Sequence, residues 1–184
     1  LLGQNENLGR ELGILNSVSL LILGTILWFS FRSKRDTGYV LGLTVLGIGA
    51  TYGTSGALTA IGVPMTFNAA MNSIPVLLLA IGVDYGLHVV KRVREEYQVI
   101  SSSTDRSVES VGAMDQTSRR AAILRGTKFT SIALLIAIFT DMVGFLSFRL
   151  SSQEFLVVFG TVIAIGLFYI YVLSITALPA LMAL

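Results

Sequence analysis

The fold turns on TGYVLGLTVLGIGATYGTSGALTAIGVPMTFNAAMNSIPVLLLAIGV, residues 37–83, a stretch with no Asp, Glu, Lys or Arg. A helix rises 1.5 Å per residue, so one helix of this length would reach roughly 70 Å, more than twice the ~30 Å hydrocarbon core of a bilayer. The stretch must therefore fold back once. The break falls at Gly62-Val63-Pro64-Met65-Thr66-Phe67-Asn68, where Gly, Pro and Asn supply turn chemistry. Two spans follow, over residues 39–62 and 70–91.

The same absence of charge recurs on both sides. Residues 12–31 and 155–184 carry no charged side chain, and residues 129–148 carry only Asp141. These runs predict further spans over 13–31, 128–148 and 154–178. The expected fold is thus an all-α, polytopic membrane bundle of five helices. In lipid the backbone must satisfy its own hydrogen bonds, and none of the runs has the alternation of a barrel strand. Composition agrees: 53% of the 184 residues are apolar and 13% charged, with a mean hydropathy of +0.76. A disordered chain and a nucleic-acid-binding tail are excluded. The chain has no cysteine, which excludes a disulfide scaffold and a thiolate metal site. No metal or cofactor is expected.

The cations give the expected sidedness. Arg32, Lys34 and Arg35 lie in the first connection; Lys91, Arg92, Arg94, Arg106, Arg119, Arg120, Arg125 and Lys128 lie in the third. The second connection has no cation and the fourth only Arg149. By the positive-inside rule the first and third connections are cytoplasmic. The N-terminus is then outside and the C-terminus inside a multi-pass cell-membrane protein. Residues 1–12 form an outer linker, 13–92 the first three spans, 93–127 a cytoplasmic connection and 128–184 the last two spans. Within that connection the polar middle from Ser101 is a linker. Thr117–Arg125 is either a basic amphipathic helix on the inner surface or a solvated loop. Without an initial Met or a signal peptide, the chain reads as an excerpt of a longer polypeptide.

Few ionisable groups fall at membrane depth. Asp84 lies about 10 Å in from Lys91, and Asp141 about 20 Å in from Lys128, counted along a helix axis. A carboxylate there costs about 2.5–3.5 kcal/mol on insertion scales and by default marks an ion or proton path. A structural hydrogen bond to a neighbouring helix is the plainer alternative for both. His88, the one histidine, stands at i+4 from Asp84 and shares its helix face. The pair suits a proton relay, because His titrates near neutrality; a histidine bonded to Asp84 or water at headgroup level is the other reading. Tyr85 could donate its hydroxyl to a carboxylate on another helix, or simply pack. Thr140 adjoins Asp141. Gly42, Gly49 and Gly56 repeat every seven residues, and Gly49 with Gly53 forms a Gly-x-x-x-Gly pair. Such glycines let helices approach closely in lipid, so these four are expected to form a packing face. There is no phosphate-binding loop, no Ser/His/Asp constellation and no His-Glu-x-x-His. The chain is not expected to be an enzyme.

The stretch Ile81-Gly82-Val83-Asp84-Tyr85-Gly86-Leu87-His88-Val89-Val90-Lys91-Arg92-Val93-Arg94-Glu95-Glu96 resembles the Gly-x-Asp-Tyr…Arg-x-x-Glu-Glu signature of the resistance-nodulation-division superfamily, in its MMPL-like exporter branch. Thr140-Asp141-Met142-Val143-Gly144-Phe145 resembles that family's Thr-Thr-x-x-Gly-Phe segment, with Asp141 in place of the second Thr. Leu178-Pro179-Ala180-Leu181 is similar to the close of its sixth helix. The resemblance implies that the five spans are the second to sixth helices of one six-helix half, with a large outer domain before Leu1. It implies proton-driven export of lipids or other hydrophobic molecules. Asp84 would carry the proton, and Tyr85 would contact the equivalent Asp of the other half. The implied partners are membrane lipids, the hydrophobic substrate, and the other half or a second protomer. Two relatives share the five-helix unit or the Asp…Arg…Glu-Glu spacing: the sterol-sensing domain and the Sec protein-export accessory subunits. Tyr85 and His88 favour the exporter branch.

Overall fold

A computed structural model describes residues 34–63, 65, 69–103 and 111–183, with six helical positions between Ile14 and Thr25. The remainder of the first predicted span, and residues 104–110 of the long connection, lie outside the described residues. The described chain is α-helical with two short 3₁₀ turns. Four of its helices are long and apolar enough to cross a membrane, and they are the second to fifth predicted spans.

Helix α1 runs Lys34–Ala60 and ends where the break was expected. Gly62 adopts φ +91°, the left-handed conformation that a Cβ disfavours. The Gly62 N–H then donates to Thr59 O (3.1 Å) and the Val63 N–H to Leu58 O (3.0 Å). This pair of bonds is the Schellman cap, which satisfies carbonyls left open at a helix end. A 3₁₀ turn, Ala69–Ser73, leads into α2, Ile74–Ser103. Pro75 sits in the first turn of α2, where its missing N–H leaves no ladder bond unmade. Helix α3 is Val111–Leu146, followed by a 3₁₀ turn Ser147–Leu150. Helix α4, Glu154–Ile175, is interrupted at Thr176 and continues as the short α5, Ala177–Met182.

Helices α2 and α4 form the centre of the bundle. They contact one another and each contacts both α1 and α3, which flank them. Helix α4 carries no charge beyond Glu154, as a helix surrounded by apolar partners requires. Its Ile163, Leu167 and Ile170 pack with Ile74 and Leu78 of α2 in the buried core.

The expected glycine face of α1 meets no described helix, and the expectation for the long connection needs correction. The four glycines singled out on α1, Gly42, Gly49, Gly53 and Gly56, meet nothing within 4 Å among the described residues and are exposed. The buried face of α1 is instead a line of hydroxyls: Thr37, Thr44, Thr51 and Ser55. Positions 44 and 42 differ by two residues, or about 200° around a helix, so the glycine line points away from the other described helices, α2 to α5. The hydroxyls are internally satisfied, Thr44 donating to Val40 O (2.8 Å) and Thr51 to Gly47 O (2.7 Å). The close approach is supplied by glycines of α2. A Cβ on Gly82 would lie 2.6 Å from Thr44 Cγ2, and one on Gly86 2.5 Å from Val40 Cγ1.

The correction concerns the long connection. Helix α2 continues to Ser103 and α3 begins at Val111, so the pair extends well past the predicted spans. Thr117–Arg125 is neither a loop nor a separate surface helix but part of α3. Backbone contact holds this extension: a Cβ on Gly126 would lie 2.9 Å from Val93 Cα.

Candidate functional site

Asp84, Tyr85 and His88 stand on consecutive turns of α2, and neighbouring positions there point about 100° apart. Tyr85 turns inward and is 5% exposed. Its hydroxyl donates to Asp141 Oδ2 on α3 at 2.7 Å, the short distance of a charge-assisted bond. Asp141 lies nearer than Asp84 to the end of the bundle that holds the two short turns. The length of the tyrosine ring spans that offset. Sequence spacing allowed Tyr85 a carboxylate on another helix, and the resemblance implied one in the other half. The structure provides one within this chain.

Asp84 is turned about 100° from Tyr85 around the helix. Its side chain is 61% exposed, and His88 beside it is 60% exposed. His88 Nε2 lies 3.7 Å from Asp84 Oδ1, in electrostatic contact but too far for a direct hydrogen bond. Both line a cleft of about 610 Å³ between α2 and α3. The facing wall on α3 includes Phe129, Ala133 and Ala137. The two alanines, one turn apart, leave the space. At the basic end of the cleft Arg92 pairs with Glu95 (3.1 Å) and Glu96 (3.0 Å). Its guanidinium also stands 6.0 Å from the Phe129 ring centroid, within cation–π range. The Arg-x-x-Glu-Glu part of the motif is thus one ion-pair cluster at the basic end of the Asp84 cleft.

The structure therefore brings Asp84 to His88 and Tyr85 to Asp141, as two pairs linked through the adjacent residues 84 and 85. Thr140 joins neither. Its hydroxyl donates to Ile136 O of its own helix (2.9 Å) and is exposed. The cleft-lining residues of α3 escaped notice in the sequence. The i, i+4 spacing of Ala133 and Ala137 is the signal that marks them. Among the described residues, no group of His, Asp and Glu could hold a metal ion.

Beyond the cleft, Arg94 pairs with Asp36 and ties α2 to the start of α1. Arg119 of α3 donates to the Met182 carbonyl at 2.6 Å, satisfying an open carbonyl at the end of α5.

Comparison with known proteins places this arrangement. The chain is 25% identical over 178 residues to the hopanoid transporter HpnN of Rhodopseudomonas palustris (strain TIE-1), a match covering 95% of the chain and 18% of that relative. It is 29% identical over 131 residues to a membrane protein, MJ1562, of Methanocaldococcus jannaschii, covering 71% of the chain and 29% of the relative. The chain thus spans less than a third of the length of either protein. Its residues 4–184 match the pattern of the MMPL family, and the chain belongs to that family.

Proposed function

We propose that this chain is the transmembrane part of an exporter of lipids or other hydrophobic molecules, driven by the proton-motive force. Asp84 is the proton-carrying group and His88 its relay partner. The observation that carries this reading is the position of Asp84. It sits ten residues into α2, within a span, yet opens onto a cleft instead of a buried partner. A carboxylate facing hydrocarbon would be costly, so the cleft is closed in the working protein by water and by the other half or a second protomer. A group so placed can exchange a proton as water and neighbouring charges come and go. The hopanoid transporter among the relatives supports a lipid-like substrate, since a hopanoid is a polycyclic, largely hydrocarbon molecule. The orientation proposed from the cations puts the N-terminus outside and the C-terminus, with the Arg92 cluster, in the cytoplasm. The role is transport and not catalysis.

The test is Asp84→Asn in the intact polypeptide, reconstituted into vesicles with an imposed pH gradient. Transport and the accompanying proton flux are expected to vanish, while membrane insertion and thermal unfolding stay as in the parent. Uphill export retained by Asp84→Asn would refute the proton-carrier role. Binding of a lipid that ignores both pH and this substitution would favour a sensing module in its place.

A further inference from the structure

A second cleft, of about 520 Å³, opens at the basic end of the bundle between α1, α2, α3 and α5. Its wall carries Arg35 from α1, Arg94 from α2 and Arg119 from α3, against one acid, Asp36. The lining therefore holds a formal excess of two positive charges. Its floor is apolar: Val93, Ala122 and Ile123 are buried, and Leu181 and Met182 complete it. Two of the guanidinium groups are fixed in advance. Arg94 is tied to Asp36, an ion pair that joins α2 to α1. Arg119 is held by the Met182 carbonyl, a bond that uses one of its five N–H donors.

The level of the cleft in the membrane follows from helix length. Counted from Met71, where the second described span begins, twenty residues at 1.5 Å each reach Lys91 after about 30 Å, the thickness of the hydrocarbon core. Val93 and Arg94 then lie in the headgroup layer. At that level the groups available to a basic wall are lipid phosphates, and those available to an apolar floor are the first carbons of lipid chains. A soluble anion would satisfy the arginines but make no use of the apolar lining.

We propose that this cleft binds one anionic phospholipid of the adjoining leaflet. Arg35 and Arg119 take its phosphate, and the half-buried Tyr39, Tyr97 and Leu181 take the glycerol end of its chains. The site is separate from the Asp84 cleft, which lies on the other side of α2. Arg119, already held in place by the Met182 carbonyl, reduces the ordering cost of binding.

The experiment uses the intact polypeptide in phosphatidylcholine nanodiscs, with spin-labelled phosphatidylglycerol or spin-labelled phosphatidylcholine as the probe and the immobilised fraction as the readout. Phosphatidylglycerol is expected to be held selectively. Each arginine at the headgroup layer contributes enough that Arg35→Gln and Arg119→Gln should each weaken that binding about fivefold. Arg120→Gln, one residue along the same helix but outside the cleft, should change it less than about twofold, since only unspecific surface attraction is lost. Excess inorganic phosphate should not displace the lipid. Equal binding of the two lipids, equal losses in Arg119→Gln and Arg120→Gln, or displacement by inorganic phosphate would each overturn the proposal, the last by showing a free-anion site. Because Arg119 also anchors α5, Arg35→Gln, whose side chain is exposed, decides the matter if Arg119→Gln unfolds.

Discussion

Replacing Tyr85 by Phe removes one oxygen atom and leaves the ring in place, so the change isolates the bond to Asp141. The ring is 5% exposed, and the isosteric swap opens no cavity. What is lost is a 2.7 Å hydrogen bond between two helices. Bonds to charged groups contribute about 1.5–3 kcal/mol in water-soluble proteins, whereas interhelical bonds in membranes average about 0.6 and reach about 1.7. The short distance and the carboxylate acceptor place this bond near the upper membrane value. Asp141 is only partly buried, which keeps it from exceeding that value. A double-mutant cycle of Tyr85→Phe and Asp141→Ala, read from denaturant-driven unfolding of the intact protein in mixed micelles, should give a coupling of about 1–1.5 kcal/mol. The control is Thr140→Ala, whose hydroxyl bonds its own helix; it should show no coupling to Tyr85. A Tyr85–Asp141 coupling within about 0.3 kcal/mol of zero, or one no larger than that with Thr140, would refute the pairing.

Other expectations follow from packing and sidedness. Gly86→Ala would press a methyl to 2.5 Å from Val40, well inside the 3.4 Å of ordinary contact, and should cost about 1–3 kcal/mol. Most of that loss should be recovered in the Gly86→Ala, Val40→Ala double variant, as the same unfolding assay would show. Gly49→Ala and Gly53→Ala, facing away from the other described helices, should change the packing of α1 against α2 and α4 by no more than about 0.5 kcal/mol in either direction. The chain has no cysteine, so single cysteines report topology directly. Gln98→Cys should react with an impermeant thiol reagent only from the cytoplasmic side, and Ser152→Cys only from the outer side.

The large features were legible because they rest on strong free-energy terms. Long charge-free runs admit no soluble fold, and Gly62 followed by Pro64 marks a helix end. Asp84 was conspicuous because a charge at membrane depth is expensive. What the sequence hid is orientation. Gly42, Gly49 and Gly56 repeat every seven residues, but so do Thr37, Thr44 and Thr51. Periodicity finds faces without saying which one is buried. Back-bonded hydroxyls are small and self-satisfied, and they pack as well as glycine does. The long basic ends of α2 and α3 were hidden for another reason. Hydropathy detects lipid and not helicity, so the polar residues beyond Lys91 and before Lys128 read as a connection. The Tyr85–Asp141 bond joins positions 56 apart, and no local pattern gives the register of one helix against another.

The angle of about 100° between two adjacent side chains has a mechanical consequence. Residues 84 and 85 are rigidly phased, because one backbone carries both. Tyr85 engages α3 and thereby sets the rotational angle of α2, which holds Asp84 out toward the cleft. Any twist that carries Asp84 inward must first draw the Tyr85 hydroxyl off Asp141. The bond therefore behaves as a torsional detent, and the heading of the carboxylate and the locking of two helices are a single degree of freedom.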